Sequence, residues 1–211
     1  MVSSDGRRVR GDRARTAILE RAADIASAEG LEGLSLGRLA TECAVSKSNV
    51  AALFGGKQQL QLAAVAYASE VFQEHVVVPT LDGDSGLPRL HALYRNWIDY
   101  SRRRIFSGGC FFAAVGAEFD ARPGQVRDAL QQGRRTWLAL QENLVTEAQT
   151  QGALDDNLDP GQLVFELDAC MVAANSHSLL FDDDSAYDRA WSAITSRIGT
   201  SHTDRQHDER T

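Results

Sequence analysis

At 211 residues the chain is long enough to bury a substantial core, as one large domain or two small ones. Its net charge of −7 on its own argues against a nucleic-acid binder, and it carries no apolar run long enough to cross a membrane and no secretory leader pattern. Three cysteines, Cys43, Cys110 and Cys170, are odd in number, far apart and set in apolar contexts, which excludes a disulfide framework and points to buried thiols in a reducing, cytoplasmic compartment.

Taken in order, MVSSDGRRVRGD is rich in Gly and Arg without apolar periodicity, and residues 1–12 read as a disordered basic arm. Such an arm can follow a DNA backbone or enter a minor groove, and can equally be a solvated tail. Arg13 to Glu29 sets Ile18, Ala22, Ile25 and Ala26 on one side of a helix that stops at Gly30. Ser35 then caps a helix with Leu36, Leu39, Ala40 and Cys43 on one face. Ala44-Val45 makes a turn, and Ser46 caps a second short helix, Lys47 to about Phe54. Val50 and Phe54 hold that helix down while Lys47, Ser48, Asn49 and Ala52 point elsewhere. This is the layout of a helix-turn-helix, whose second helix meets base edges with its N-terminal residues.

Lys57 to about Val77 predicts a longer helix, broken by the turn-rich stretch from Pro79 to Gly86. Leu87 to Arg103 carries Leu90, Leu93, Tyr94, Trp97 and Tyr100 at helical spacing. Gly108-Gly109 precedes a short apolar helix from Cys110 to about Phe119, and Gln125 to about Gln151 is a long one. Pro160 to Phe181 and Ser185 to Ile198 complete about nine helices of an all-α chain, and residues 200–211 read as a polar tail. The charge is unevenly divided: through Lys57 there are nine Lys or Arg against seven Asp or Glu, so the head is +2 and the remainder −9. A mildly cationic head on an acidic body suits orientated DNA binding.

The stretch VSKSNVAALFGGKQQL resembles the signature of the TetR family of bacterial transcriptional repressors, in which the short recognition helix runs into an aromatic, a small turn and a lysine that opens the next helix. Here these are Phe54, Gly55-Gly56 and Lys57. The match covers residues 13 to 70; beyond it the likeness is one of helical layout. Two positions depart from the pattern: Ala44 stands where the turn commonly has glycine, and Ala51 where the helix commonly has a phosphate-binding tyrosine. The resemblance implies a DNA-binding domain over residues 13–57 and a ligand-binding and dimerisation domain over 58–199. Lys47, Ser48, Asn49 and Ala52 are then the groove-facing candidates, with Ser35 and Lys57 on phosphates. It also implies a homodimer on a palindromic operator, released by a small molecule.

The expected ligand-binding residues are Tyr94, Trp97, Tyr100, Phe106, Cys110, Phe111 and Trp137, with Asn175 and His177 as polar candidates within an apolar helix. Aromatics at this spacing also make plain core. Pro160 to Phe181 is apolar on nearly every side, as a helix buried by a second copy would be. The family dimerises through its last two helices, which suggests Leu163, Leu167, Met171 and Ala174 with Trp191, Ile194 and Ile198. Neither a cofactor nor a metal is expected: no His/Cys pair has ligand spacing, and Asp182-Asp183-Asp184 reads as a solvated loop. An enzyme using Cys110 with His75, His91 or His177 lacks any linking signature. A cysteine-based redox-sensing regulator and a helical interaction protein without DNA binding remain as alternatives.

Overall fold

The computed structural model describes residues 3–199, with Ser3 to Arg10 described by backbone alone; the tail read at 200–211 lies outside the described residues. The first helix, α1 (Ser3–Glu29), begins ten residues before the expected Arg13, and so takes in most of the stretch read as a disordered arm. The run from Ser3 to Asp12 contains no proline, and arginine is a good helix former, so a nucleated helix can extend through Gly6 and Gly11. After Gly30 come a 3₁₀ turn (Leu31–Gly33), α2 (Leu36–Glu42), α3 (Lys47–Phe54) and α4 (Lys57–Phe72).

A π-helical turn (Gln73–Val77) joins α4 to α5 (Val78–Leu81) without a break, so the helix passes the expected end near Val77. Pro79 explains the π turn. Its ring has no N–H and crowds the carbonyl four residues back, and the widened turn relieves this, with Val78 N–H donating to Gln73 O. The remaining helices are α6 (Leu87–Arg102), α7 (Phe111–Phe119), α8 (Gln125–Thr150), α9 (Pro160–Phe181) and α10 (Ser185–Ile198). With α4 and α5 taken as one rod there are nine helices among the described residues, and no strand, as expected of an all-α chain.

The chain divides into two compact units. The first takes residues up to Glu70 together with Phe106–Gln131; the second takes Val71–Ile105 and the chain from Gln132 onward. The division differs from the expected break after residue 57, because most of α4 and all of α7 group with the head. Within the first unit Ile18, Ala22, Ile25 and Ala26 of α1 are buried with Leu39, Val50, Phe54, Leu60, Ala64, Phe111 and Val115. Polar bonds pin α7 at both ends: Asp24 accepts from Ser107 N–H (2.8 Å) and Ser27 from Gly108 N–H (2.9 Å). At the far end the Glu118 carboxylate accepts from the Leu31 and Glu32 N–H groups. Gly108 lies so close to α1 that a Cβ there would fall 2.0 Å from the Ser27 carbonyl, which only glycine avoids.

In the second unit α6, α9 and α10 pack together around Leu90, Leu93, Tyr94, Leu163, Leu167, Met171, Tyr187 and Ile194. Asp159 caps α9 by accepting from Gln162 N–H at 2.7 Å, and Pro160 fills the first turn, where its missing N–H has no helical partner to lose.

Candidate nucleic-acid interface and interior polar cluster

The head presents α3 in the expected manner. Ser35 caps α2 by accepting from Arg38 N–H (3.1 Å), and Ser46 caps α3 by accepting from Asn49 N–H (3.2 Å). Between them Ala44 adopts φ +53°, a left-handed conformation that glycine takes without penalty. Val50 and Phe54 are buried, so Lys47, Ser48, Asn49 and Ala52 are left on the exposed face of α3. Arg15 stacks over Phe54, 5.4 Å from the ring centre, and so reaches the same end of the motif from α1. Ala51, at the position of the customary tyrosine, is half-buried.

The cations of this unit are mostly engaged by its own carboxylates. Arg38 grips Glu29 with two N–H groups (2.6 Å each) and reaches Glu42 at 3.0 Å, while Arg21 bonds Asp24 and Glu42. These hydrogen bonds hold the Glu29 and Glu42 carboxyls below the usual carboxylate range. Lys57 donates to the Glu32 carbonyl (2.8 Å) and pairs with its carboxylate (3.0 Å), which lowers the Glu32 pKa, and Gln61 braces the same carboxylate. Lys47, by contrast, has no ion-pair partner among the described residues.

Of the residues expected to bind a ligand, Phe106, Cys110 and Phe111 lie in the first unit and Tyr94, Trp97, Tyr100, Trp137, Asn175 and His177 in the second. In the first, the rings of Phe106 and Phe111 stand 6.0 Å apart. In the second, the Phe72 ring meets Tyr100 edge-on at 5.5 Å and Trp137 at 5.0 Å. Tyr94, Trp97 and Tyr100 are buried and Trp137 half-buried. Asn175 is buried, but its Oδ1 accepts from the Ser101 hydroxyl (2.7 Å), which also bonds Tyr187, so the fold itself satisfies that atom. His177 is not interior. It is half-exposed, its ring 4.6 Å from Phe181 and its Nε2 3.7 Å from Asp183. Two residues along a helix is a rotation of about 200°, so Asn175 and His177 cannot share a face.

A cluster that the sequence did not bring to notice lies in the same unit. Asp168 of α9 is buried, and Arg134 of α8 grips both its oxygens while the Trp137 indole N–H donates to it at 3.3 Å. One turn further along α8, Gln141 is fully buried. The only signal was two carboxylates, Glu166 and Asp168, within the otherwise apolar run LVFELDACM; the partner of Asp168 stands 34 residues away on another helix.

A family profile described as "Tetracyclin repressor-like, C-terminal domain" matches residues 86–194, more than half of the chain. The chain belongs to the TetR family of transcriptional regulators. The match falls on the C-terminal part of the chain, whereas the resemblance carried by the sequence lay in the head. A TetR transcriptional regulator from Chloroflexus aurantiacus is similar in structure, with a TM-score of 0.83 and 20% identity over 91% of this chain and 97% of that one. AibR, solved in complex with isovaleryl coenzyme A and operator DNA, gives 0.72 and 20% over 89% and 100%. A regulator from Saccharomonospora viridis in complex with choline gives 0.73 and 19% over 88% and 95%. At these identities the likeness is one of fold. No curated protein sequence matches the chain.

Most of the residues expected at a dimer interface lie inside the chain itself. Leu163, Leu167, Met171, Ala174, Ile194 and Ile198 are buried in the chain's own core, so they are unavailable to a second copy. Trp191 is half-buried, with Arg95 over its ring at 4.7 Å. The open face of α9 is instead Phe165, Ala169, Val172, Ala173, Ser176 and Leu180, with Phe165 71% and Leu180 75% exposed. The thiols offer little to redox chemistry: burial pushes Cys43 and Cys170 up, and Cys110 is buried. Among the described residues no group of three His, Cys, Asp or Glu could hold a metal, and no helix is long and apolar enough to cross a membrane.

Proposed function

We propose that this TetR-family chain is a one-component regulator, most simply a repressor, that binds a palindromic operator as a homodimer in the cytoplasm and is released by a small apolar or aromatic effector. The observation that carries this reading is the division of α3, with Val50 and Phe54 packed inward and Lys47, Ser48, Asn49 and Ala52 exposed at its Ser46-capped end. Lys47 and Asn49 supply donors and an acceptor for base edges, and the Ala52 methyl suits an apolar contact such as thymine. Ser35 uses a lone pair for its cap and keeps its hydroxyl hydrogen for a phosphate. Lys57 reaches phosphate only by giving up Glu32, a half-exposed pair of modest strength. The apolar stripe on α9 supports a second copy as its cover, and a twofold dimer offers two α3 helices to half-sites about 34 Å apart. The regulator carries out no catalysis in this reading.

The test is duplex binding to the chain's own upstream DNA and to a scrambled control across a salt series. Operator preference with a steep salt dependence is expected. Asn49→Ala should relax sequence preference. Lys57→Ala should weaken binding to all sequences alike and flatten the salt slope by about one unit. Indifference to both DNAs at low salt would sink the reading and leave a helical interaction protein.

A further inference from the structure

Two buried polar side chains of the second unit meet no hydrogen-bonding group of the protein among the described residues: Gln141 of α8, through both Nε2 and Oε1, and Tyr94 of α6, through its hydroxyl. Both residues are 0% exposed. A buried amide or hydroxyl left unpaired weakens a fold, and an apolar residue of like size would be better for stability alone. Arg134, Trp137 and Gln141 stand at positions i, i+3 and i+7, on one face of α8. The first two close on Asp168, so the cation of the cluster is already matched to its carboxylate. Burial, and secondarily the Asp168 charge, push the Tyr94 hydroxyl far above the usual phenol range, so it stays a neutral donor.

We propose that Gln141 and Tyr94 recognise the polar head of the effector, and that this head is a neutral group with a hydrogen-bond donor beside an acceptor, of which a carboxamide is the simplest. A glutamine amide donates through Nε2 and accepts through Oε1, and so pairs with such a group on both sides. An anionic head would need a cation, and Arg134 is engaged by Asp168. A bare hydrocarbon would leave the Gln141 amide and the Tyr94 hydroxyl as they are. Groups that cost stability in the empty protein suit one that responds to an effector, so the assignment rests on the regulator reading and narrows its effector to an apolar body with this head.

Gln141→Met keeps the length of the side chain and removes its amide. In effector-free protein its thermal midpoint is expected to rise by about 2–4 °C, with Tyr94→Phe moving in the same direction. A fall in both means that the fold itself pairs these groups, directly or through a buried water, and overturns the proposal. Benzamide and ethylbenzene are then titrated against tryptophan fluorescence. Wild type should bind benzamide about tenfold more tightly than Gln141→Met, with no such loss for ethylbenzene. Equal benzamide binding by the two proteins, none by either included, overturns the proposal as well. Operator binding is measured on wild type in parallel. Its failure would refute the regulator reading and leave the midpoint shifts standing on their own.

Discussion

Helices α3 and α9 are built in opposite senses. Within its unit α3 buries Val50 and Phe54 and turns Lys47, Ser48 and Asn49 to solvent, as a surface helix of a water-soluble protein should. In the other unit α9 turns Phe165, Val172 and Leu180 outward and encloses Asp168, Asn175 and Ser178. Each enclosed polar group is met: Asp168 by Arg134 and Trp137, Asn175 by Ser101, and Ser178 by Arg104. A polar face in the open suits a polar partner such as a base edge. An apolar face in the open, over a satisfied polar interior, suits a partner that removes it from water.

The largest effect should come from the open face of α9. Phe165→Asp with Leu180→Asp would place four carboxylates in the proposed twofold interface, and the dimer dissociation constant should rise roughly a thousandfold or more. Sedimentation velocity would show monomers, with helical content unchanged, because neither residue contributes to the chain's own core. A variant that stays dimeric would place the interface elsewhere and remove the contrast between the two helices.

Next in size is the satisfied interior of α9. Arg134→Ala leaves the Asp168 carboxylate buried with only the Trp137 indole N–H, and about 2–3 kcal/mol of stability should be lost. Asp168→Asn keeps the shape and removes the charge. It leaves Arg134, whose side chain is 50% exposed, free to turn to water, so the loss should be about 1 kcal/mol. Denaturant unfolding of the two variants measures the difference, and equal losses would mean that the carboxylate is not truly shielded.

The same contrast explains what could be read from the sequence. The caps Ser35 and Ser46, the Ala44 turn and the inward pair Val50 and Phe54 are local, set by residues a few positions apart, and the structure places them as expected. α9 offered no such phase. A helix that is apolar all round does not say which stripe faces its own core. Leu163, Leu167, Met171 and Ala174 turned out to be that core, while Phe165 and Leu180 face out. Charge counting has a related limit in what it can say. The +2 of the head is a sum that does not tell which cations are engaged: Arg21, Arg38 and Lys57 pair with Glu42, Glu29 and Glu32, partners 9 to 25 residues away brought close by folding. Arg134 and Asp168 stayed hidden as a pair because their relation exists only across α8 and α9.

The smallest expected effect concerns how α3 is set in place. Ala44 holds φ +53° between α2 and α3, and no other non-glycine residue of the first unit has positive φ among the described residues. The left-handed region costs an alanine about 1–2 kcal/mol, while a glycine there gives back part of the gain through its freer unfolded chain. Ala44→Gly should therefore stabilise the protein by roughly 0.5–1 kcal/mol in denaturant unfolding. Val45 N–H already donates to the Ala40 carbonyl at 2.9 Å and closes the turn, so the substitution relieves strain without moving α3. Operator preference should stay as it is. A change in preference would mean that the strained turn tunes the angle of α3, and that the exposed face of this helix is defined by its backbone as much as by Lys47, Ser48 and Asn49.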